Sequence, residues 1–386
     1  MDLKEKALRD TAWDLTAGVL AQIKPEALKF GKNEVENIAF PREVRLGPEA
    51  YLGPKYYFDF VRPLDNDALI AASLLRLIAH ALKGLKQQEV LQSSSPEELA
   101  ERVIRQAETQ GDWGKGLIDL KRVTEALWEV FKLRPSIADS IFEFFLELPC
   151  IKEEAEPIEI LRRCVLKIID SHGRMSTGFA LCRCGHVLTA EHVVGGHREI
   201  EIVFRYSTSN GKKQELMGWA KVIHTDQHRD VAILQVQGSE WERFKMGGLA
   251  PPPLSLEWQP CDKILCLGYQ EQEIFADPST VEAFIRPWDP ILSVRFRDGS
   301  ERDSLVVVIP RDYPTVVPGM SGGPVINLRT RKVMAMVTGA TREAWVRQRW
   351  KSEEIWELIS SARYGFATPL SWVAESWPEF RECCLK

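Results

Sequence analysis

The chain has 386 residues, of which 45% are hydrophobic and 27% are charged, and its formal net charge is −5. This composition is typical of an ordinary globular protein and excludes a predominantly disordered one. The length favours two or more domains. Because general nucleic-acid binders are usually basic, the acidic balance argues against a direct nucleic-acid partner.

The first residues, MDLKEKALRDTAWDL, are charged and amphipathic, with no apolar run ahead of a small-residue cleavage site. We therefore expect no secretory signal. No stretch of membrane-spanning length is free of charges, so a membrane partner is not expected either. Together these features predict a cytoplasmic protein.

Residues 1–150 predict a mainly α-helical domain with a regulatory or adaptor role. Helical periodicity covers residues 3–28, interrupted by a proline, and a loop-rich stretch follows. Ser95, Pro96 and Glu98 have the spacing of a capping box that starts a helix in SPEELAERVIRQAETQG. Three other segments also have helical spacing of apolar residues: DNDALIAASLLRLIAHALKGL, GLIDLKRVTEALWEVF and SIADSIFEFFLELP.

The second part of the chain has a different pattern. The charged stretch KEEAEP predicts a linker over residues 151–158. From residue 159 to residue 386, short β-branched segments alternate with turn residues, as in CVLKIID, EIEIVFRY, KILCLGY and SLVVVIP. Many short strands at close spacing predict an all-β barrel or sandwich.

The chain contains eight cysteines. In a cytoplasmic protein of this size we expect free thiols rather than a disulfide framework. Cys182, Cys184 and His186 lie close together, but their spacing matches no zinc pattern, and a hairpin turn at Cys184-Gly185 is the favoured interpretation. There is also no His-Glu-x-x-His motif, so we predict no metal and no cofactor.

The stretch VVPGMSGGPVIN surrounds Ser321 with three glycines between two β-rich segments. Glycines weaken a strand, so this cluster predicts a special backbone shape that exposes Ser321. A serine hydroxyl becomes a nucleophile only beside a base that a carboxylate orients. VLTAEHVVG places His192 after one strand-like run, and HRDVAILQV places Asp230 before another.

Each of these residues also has an ordinary explanation on its own. A serine between glycines is usually part of a turn, and a lone histidine is usually structural. An aspartate before a strand is usually a cap, and Asp226 is a nearby competitor of Asp230. It is the combination of the three motifs that favours a catalytic triad.

The order of these motifs is where a family resemblance appears. Residues 161–372 resemble the chymotrypsin-like, or trypsin-fold, serine proteases, and most of all the bacterial branch that includes the high-temperature-requirement proteases. Four motifs carry the resemblance in the family's order: STGFALCRCGHVLTAEHVV, RDVAILQV, PGMSGGPVIN and GFATPLSWV. It implies two six-stranded antiparallel β-barrels with the site between them. The predicted fold class is thus multidomain, a helical domain followed by a trypsin-like all-β domain. The stretch after Trp372 is too short for the PDZ module of that branch.

The resemblance also implies roles for individual residues. Ser321 would attack the substrate carbonyl, His192 would act as base and then as acid, and Asp230 would fix the imidazole tautomer. The backbone N–H groups of Gly319 and Ser321 would form the oxyanion hole. Met320 stands where digestive members carry an aspartate that pairs with a new N-terminus, so we expect any activation to move loops instead.

A specificity pocket follows from the same resemblance. Its predicted substrate-binding residues are Thr315 near the base and, along one wall, Val337, Thr338 and Gly339. No acidic residue occupies the base, which predicts an uncharged side chain of small or medium size before the scissile bond. Asp312 lies nearby in the sequence and could change this preference.

One insertion, ATREAWVRQRWKSEEIWELISSARYG, separates the pocket strand from the final strand. Its composition favours a surface helix whose tryptophans, Trp345, Trp350 and Trp356, pack on the barrel. The alternative is a gate or partner-docking element beside the pocket, because Trp and Arg are enriched at binding hot spots.

These observations predict an intracellular serine endopeptidase that cleaves a protein substrate through an acyl-enzyme. We expect it to be regulated through its N-terminal domain by an activating or sensor protein, in an arrangement that resembles bacterial antiviral defence systems. The alternative is a catalytically silent protease fold that binds peptides or proteins.

Overall fold

The computed structural model describes residues 3–40, 66–109, 119–146, 161–170, 172–207, 212–271, 276–296, 299–311, 313–339, 344–359 and 363–385. The chain divides into two compact units. One unit comprises Met1–Glu147 and Gln348–Glu357, and the other comprises Leu148–Arg347 and Leu358–Lys386. No helix in the described part is both long and apolar enough to cross a membrane.

The first unit is mainly helical, as the periodicity predicts. Besides a short 3₁₀ helix at Pro25–Lys29, its helices are α1 (Leu3–Ile23), α2 (Lys32–Ala39), α3 (Asn66–Gly84), α4 (Gln87–Leu91), α5 (Pro96–Thr109), α6 (Leu120–Leu133) and α7 (Ser136–Phe145). The core lies mainly between α1 and α3, where apolar side chains such as Leu15, Leu20 and Leu74 are fully buried.

The first turn of α5 is capped with a small change from the predicted box. The backbone N–H of Glu98 donates to Ser95 Oγ at 3.2 Å, as predicted. The Glu98 carboxylate, however, accepts from the backbone N–H of Ser94 at 2.8 Å. This backbone hydrogen bond and the Arg102 side chain lower the pKa of Glu98 to about 2. The carboxylate is thus ionised at the helix N-terminus, where negative charge is favourable.

The insertion after the pocket strand forms a β-hairpin, so the predicted surface helix is wrong. Its strands are β13 (Ala344–Trp350) and β14 (Glu353–Ile359). Along β13, buried and more exposed side chains alternate, which is the two-residue period of a strand. The charged residues of this segment favour a helix by their intrinsic propensity. The burial of alternate side chains and the pairing with neighbouring strands outweigh that preference.

The tip of this hairpin belongs to the helical unit and packs on α6. The Trp350 ring stacks on Phe131, with the ring centroids 6.4 Å apart, and meets Trp128 edge-on at 6.0 Å. The buried Glu357 carboxylate accepts hydrogen bonds from the backbone N–H and the hydroxyl of Ser136 at the start of α7.

The second unit begins with a closed six-stranded antiparallel barrel, as predicted. Its strands are β1 (Val165–Ile169), β2 (Met175–Ala180), β3 (His186–Thr189), β4 (Glu199–Ser207), β5 (Lys213–Asp226) and β6 (Val231–Val236). They pair in the order β1-β2-β3-β6-β5-β4, and the β1–β4 pairing closes the ring. The short helix α8 (Glu191–Val194) follows β3, and α9 (Gly238–Met246) follows β6.

The second sheet has nine strands, of which six form a ring as in the predicted second barrel and three are additional. The strands are β7 (Lys263–Gly268), β8 (Ser279–Ile285), β9 (Ile291–Arg295), β10 (Glu301–Val308), β11 (Pro324–Asn327), β12 (Lys332–Gly339), β13, β14 and β15 (Tyr364–Pro369). A short pairing between β8 and β10 joins six of them in a ring, and β9, β13 and β14 extend this sheet beyond β10. The extra strands come from the hairpin and from β9, so the sheet is not evenly arranged around an axis.

The last two helices pack on the core of the first barrel. These helices are α10 (Leu370–Ser376) and α11 (Glu379–Cys384). Leu370, Val373 and Phe380 are fully buried in the same apolar cluster as the barrel strands. The C-terminal segment therefore returns to the strands that carry the first half of the candidate site.

Candidate active site

His192 lies in the short helix directly after β3. The chain leaves the strand in an extended conformation at Ala190, and the helix ends at Gly195, whose φ of 54° is in the left-handed region that glycine adopts without strain. The His192 side chain is 45% exposed, so its ring is partly open to solvent.

Asp230 binds both the ring and the backbone of His192. His192 Nδ1 is 2.9 Å from both carboxylate oxygens of Asp230, and the His192 backbone N–H donates to Oδ1 at 3.0 Å. Asp230 is fully buried and has a φ of 54°, an uncommon backbone conformation for a residue other than glycine. The competitor Asp226 instead accepts hydrogen bonds from the backbone N–H groups of His228 and Arg229, as a turn cap does.

Arg302 is a further partner of Asp230 that the sequence did not indicate. Its guanidinium lies 3.0 Å from Asp230 Oδ2 and 4.3 Å from the centre of the Phe296 ring. Burial alone raises the pKa of Asp230, but the hydrogen bond and charge of His192, together with the charge of Arg302, outweigh it and hold this pKa below its ordinary value. Asp230 is therefore an anion at neutral pH, as a residue that orients an imidazole must be.

The turn that carries Ser321 has a backbone that only glycine can adopt. Gly319 has a φ of 96°, and a Cβ at this position would lie 2.5 Å from the backbone nitrogen of Glu271. Gly322 has a φ of 87°, and its Cβ would lie 1.9 Å from the carbonyl oxygen of Thr177. The glycine cluster thus lets the turn pass close to β2 of the first barrel.

Thr177 fixes this turn, and sequence reasoning did not single it out. Its backbone N–H donates to the Ser321 carbonyl at 3.0 Å, and its hydroxyl donates to the Gly319 carbonyl at 2.6 Å. The same hydroxyl accepts from the Tyr269 N–H at 2.9 Å, and Thr189, at the end of β3, donates to the Thr177 carbonyl at 2.7 Å. One buried threonine therefore links the Ser321 turn to the strand that leads to His192.

Ser321 is partly buried, and its side chain makes no hydrogen bond with any described residue. Among the described residues, no hydrogen bond joins Ser321 to His192, the base that the resemblance implies for it. Nor do the backbone N–H groups of Gly319 and Ser321 donate to a described acceptor. Catalytic hydrogen bonds often tighten only when substrate binds, and unpaired N–H groups are what an oxyanion hole requires.

The predicted pocket residues lie partly beside this turn. The backbone of Val337 accepts from the Gly322 N–H at 2.7 Å and donates to the Gly323 carbonyl at 2.8 Å. Thr338 lies at a shift in the pairing of β12 with β15, just before Gly339, and it is 2% exposed. Its hydroxyl has no hydrogen-bond partner in the described part of the chain.

Thr315 is half-buried and precedes the buried Val316. No hydrogen bond joins it to the other three pocket residues in the described ranges. Asp312, which could alter the pocket, lies outside the described residues. Val337 therefore adjoins the Ser321 turn, whereas the substrate-binding roles of Thr315, Val337, Thr338 and Gly339 stay predictions.

A comparison of the sequence with protein families finds a match. Residues 176–336 match the model described as a trypsin-like peptidase domain, a range that includes His192, Asp230 and Ser321. Residues 176–336 are therefore similar to trypsin-like peptidase domains. The predicted resemblance and the trypsin-like fold are thereby confirmed, and the role of each residue in this peptidase domain stays a prediction.

Individual relatives of the peptidase domain are distant. A curated protein named probable periplasmic serine endoprotease DegP-like, from Pseudomonas savastanoi pv. phaseolicola (strain 1448A / Race 6), is 29% identical over 154 residues. The aligned part is 40% of this chain and 27% of that relative. The chain thus matches only about a quarter of the relative's length.

Solved structures of proteases are also similar to this chain, at low TM-scores. A serine endoprotease from Yersinia pestis is 16% identical, with a TM-score of 0.36 over 61% of this chain and 68% of its own. The MamO protease domain from Magnetospirillum magneticum is 13% identical, with a TM-score of 0.39 over 57% of this chain and 98% of its own.

Proposed function

We propose that this protein is a serine endopeptidase that cleaves a protein substrate through an acyl-enzyme at Ser321. The observation that carries the proposal is the buried Asp230 carboxylate bound to His192 Nδ1, in a domain whose Ser321 turn packs against Thr177 and Thr189. A trypsin-like peptidase domain needs this arrangement for catalysis, and a purely structural histidine does not.

In this mechanism His192 takes the proton of the Ser321 hydroxyl as its oxygen attacks the carbonyl carbon of the scissile peptide. The N–H groups of Gly319 and Ser321 stabilise the oxyanion. His192 then gives the proton to the departing amine, which leaves an ester on Ser321. Water, deprotonated by His192, hydrolyses this ester and restores the free serine. Asp230 stabilises the imidazolium that forms in both stages.

Covalent labelling tests the proposal. A fluorophosphonate forms a bond to an activated serine oxygen and displaces fluoride, so the wild-type chain should be labelled and peptide mapping should find the label on Ser321. Ser321→Ala should remain unlabelled, and so should the wild type after heat unfolding, because activation requires the folded site. A label on another serine would contradict the assignment.

One observation favours the alternative of a catalytically silent binding module, namely the missing Ser321–His192 hydrogen bond. The same observation fits a resting peptidase that a partner activates. The wild-type chain should therefore be labelled both alone and after mixing with candidate partners. Labelling that increases with a partner supports a resting enzyme, and a complete lack of labelling in all mixtures supports the silent module.

We propose further that the helical unit restrains the peptidase through the β13–β14 hairpin. The base of this hairpin pairs with β9, since Trp345 and Val346 lie opposite Arg295 and Val294. Its tip is held by α6 through Trp350 and by an ion pair between Lys132 and Glu353 at 3.2 Å. The hairpin is also the next element after β12, which carries Val337. A movement of its tip would therefore occur only a short distance along the chain from the predicted pocket wall.

Trp350→Ala tests this restraint. Trp350 is 3% exposed and packs on α6, so its removal should free the tip and raise the basal cleavage rate of an unfolded protein substrate several-fold. Trp345→Ala is the matched control, because Trp345 lies on the same strand but is 45% exposed. Equal rates for wild type and both variants would refute regulation through the hairpin.

We propose a cytoplasmic location. The seven described cysteines are all free thiols, which is the usual state in a reducing compartment; Cys150 lies outside the described residues. The curated relative is named as periplasmic, so the two proteins need not share a compartment. A role in bacterial defence stays a prediction from the resemblance alone.

A further inference from the structure

A cluster of soft ligands lies at the turn between β2 and β3. Cys182 Sγ is 3.2 Å from His186 Nδ1, and the Gly185 N–H donates to the Cys182 carbonyl across a tight turn in which Gly185 has a φ of 88°. The turn therefore places a thiol and an imidazole on the same side. This is the hairpin that the sequence predicted, but its side chains converge.

The third ligand comes from the C-terminal helix. Cys384 lies at the end of α11, and the Sγ atoms of Cys182 and Cys384 and a ring nitrogen of His186 all lie within 4.8 Å of one another. The buried Trp377 fixes this approach, because its ring meets the His186 ring edge-on at 4.9 Å. Phe380 anchors α11 in the barrel core.

A fourth thiol is available beside these three. Cys184 lies two residues from Cys182 in the same turn and is exposed, but its thiol is not among the three ligand atoms that lie within 4.8 Å of one another. Three sulfurs and one imidazole nitrogen form a ligand set typical of structural zinc sites. Atoms bound about 2.0–2.3 Å from a tetrahedral Zn²⁺ lie about 3.5–4 Å apart, so on binding the three clustered atoms would draw slightly closer and the exposed Cys184 side chain would have to turn toward them.

We propose that Cys182, Cys184, His186 and Cys384 bind one Zn²⁺ that ties α11 to the β2–β3 turn. On binding, the three thiols lose their protons to solvent, and neutral His186 coordinates through Nδ1. Thiolate and imidazole ligands favour zinc over magnesium or calcium, which prefer oxygen. Four protein ligands leave no open position, so the metal has a structural role and takes no part in peptide hydrolysis.

The proposed metal links the β2–β3 turn of the peptidase domain to its C-terminal helix. β3 begins at His186 and ends three residues before His192, while α11 ends at Cys384. Zinc would therefore hold the C-terminal segment against the strand that positions the catalytic imidazole. The expected consequence is a more stable barrel rather than a change in chemistry. This proposal is independent of the proposed peptidase function.

Metal binding can be measured directly on the full chain. The Ser321→Ala variant prevents self-cleavage, and the protein is kept reduced, stripped with a chelator and titrated with Co²⁺ and then Zn²⁺. We expect one equivalent of Co²⁺ to give the thiolate charge-transfer absorption of a tetrahedral site, which Zn²⁺ then abolishes. The midpoint of thermal unfolding should rise with Zn²⁺.

Ligand variants and a control make the test decisive. Loss of an outer-sphere partner typically costs about 10- to 100-fold in metal affinity, so Cys384→Ser and His186→Ala should lose at least about 100-fold. Cys184→Ser changes an exposed thiol, so it should fold normally and still bind more weakly. Cys261→Ser, a cysteine outside the cluster, should bind like its parent.

Two results would overturn the proposal. One is metal binding that is no stronger in the parent than in Cys184→Ser and Cys384→Ser. The other is a Cys182–Cys384 disulfide in freshly purified protein, detected as a mass lower by two hydrogens, together with no bound zinc. Because these readouts do not involve cleavage, they remain informative even if the peptidase proposal fails.

Discussion

Replacing Ser321 by alanine should lower kcat for peptide hydrolysis by about 10⁶-fold, the loss found when a serine protease loses its nucleophile. The remaining rate would come from substrate binding and from the oxyanion hole. The side chain makes no hydrogen bond with a described residue, so the free energy of unfolding should change by less than about 1 kcal/mol. Initial rates on a fluorogenic peptide and chemical denaturation measure the two effects.

The matched control for this variant is Ser239→Ala, which alters an exposed serine at the start of α9. It should retain the wild-type rate and stability. If Ser321→Ala retained more than about a tenth of the wild-type kcat, Ser321 would not be the nucleophile. If it lost activity and stability together, the loss could not be assigned to chemistry, and the labelling experiment would decide.

Replacing Asp230 by asparagine should lower kcat by about 10⁴-fold. The asparagine side chain can offer an N–H to His192 Nδ1, which would hold the imidazole in the tautomer that cannot accept the serine proton. It would also remove the charge that faces Arg302 at 3.0 Å. Steady-state kinetics near neutral pH measure the effect.

Asp226→Asn is the control, because Asp226 precedes the same strand but caps a turn. It should keep the wild-type rate to within a few-fold. A larger loss in Asp226→Asn than in Asp230→Asn would show that the orienting carboxylate had been misassigned. Comparing the two variants thus shows which aspartate has a catalytic role and which only caps a turn.

The same carboxylate predicts how stability depends on pH. The folded state holds the pKa of Asp230 below its ordinary value, and an unfolded aspartate titrates near about 3.9. The ionised group therefore stabilises the folded protein above the unfolded pKa, and this contribution is lost as the pH falls through the folded pKa. The stability difference between wild type and Asp230→Asn should shrink as the pH is lowered from about 5 towards 2, as denaturation at several pH values can measure.

Local patterns in the sequence determined the elements and the main chemical groups of this protein. The helical periods of the first unit and the short β-branched runs of the second depend on neighbouring residues, and so do the turn glycines around Ser321. His192 and Asp230 were also recognisable, because His192 follows one strand and Asp230 precedes another, each in a short motif.

The tertiary structure alone decided which distant residues meet. Arg302 reaches Asp230 from another sheet, Thr177 fixes the Ser321 turn from the first barrel, and Cys384 joins Cys182 after the chain has formed both sheets. The hairpin was mispredicted for the same reason, since its strand pairing and the burial of Trp350 depend on partners that are remote in sequence. Short-range sequence patterns indicate whether a segment is a helix or a strand. The free energies of side-chain burial and of charge pairing depend instead on residues that become neighbours only when the chain folds.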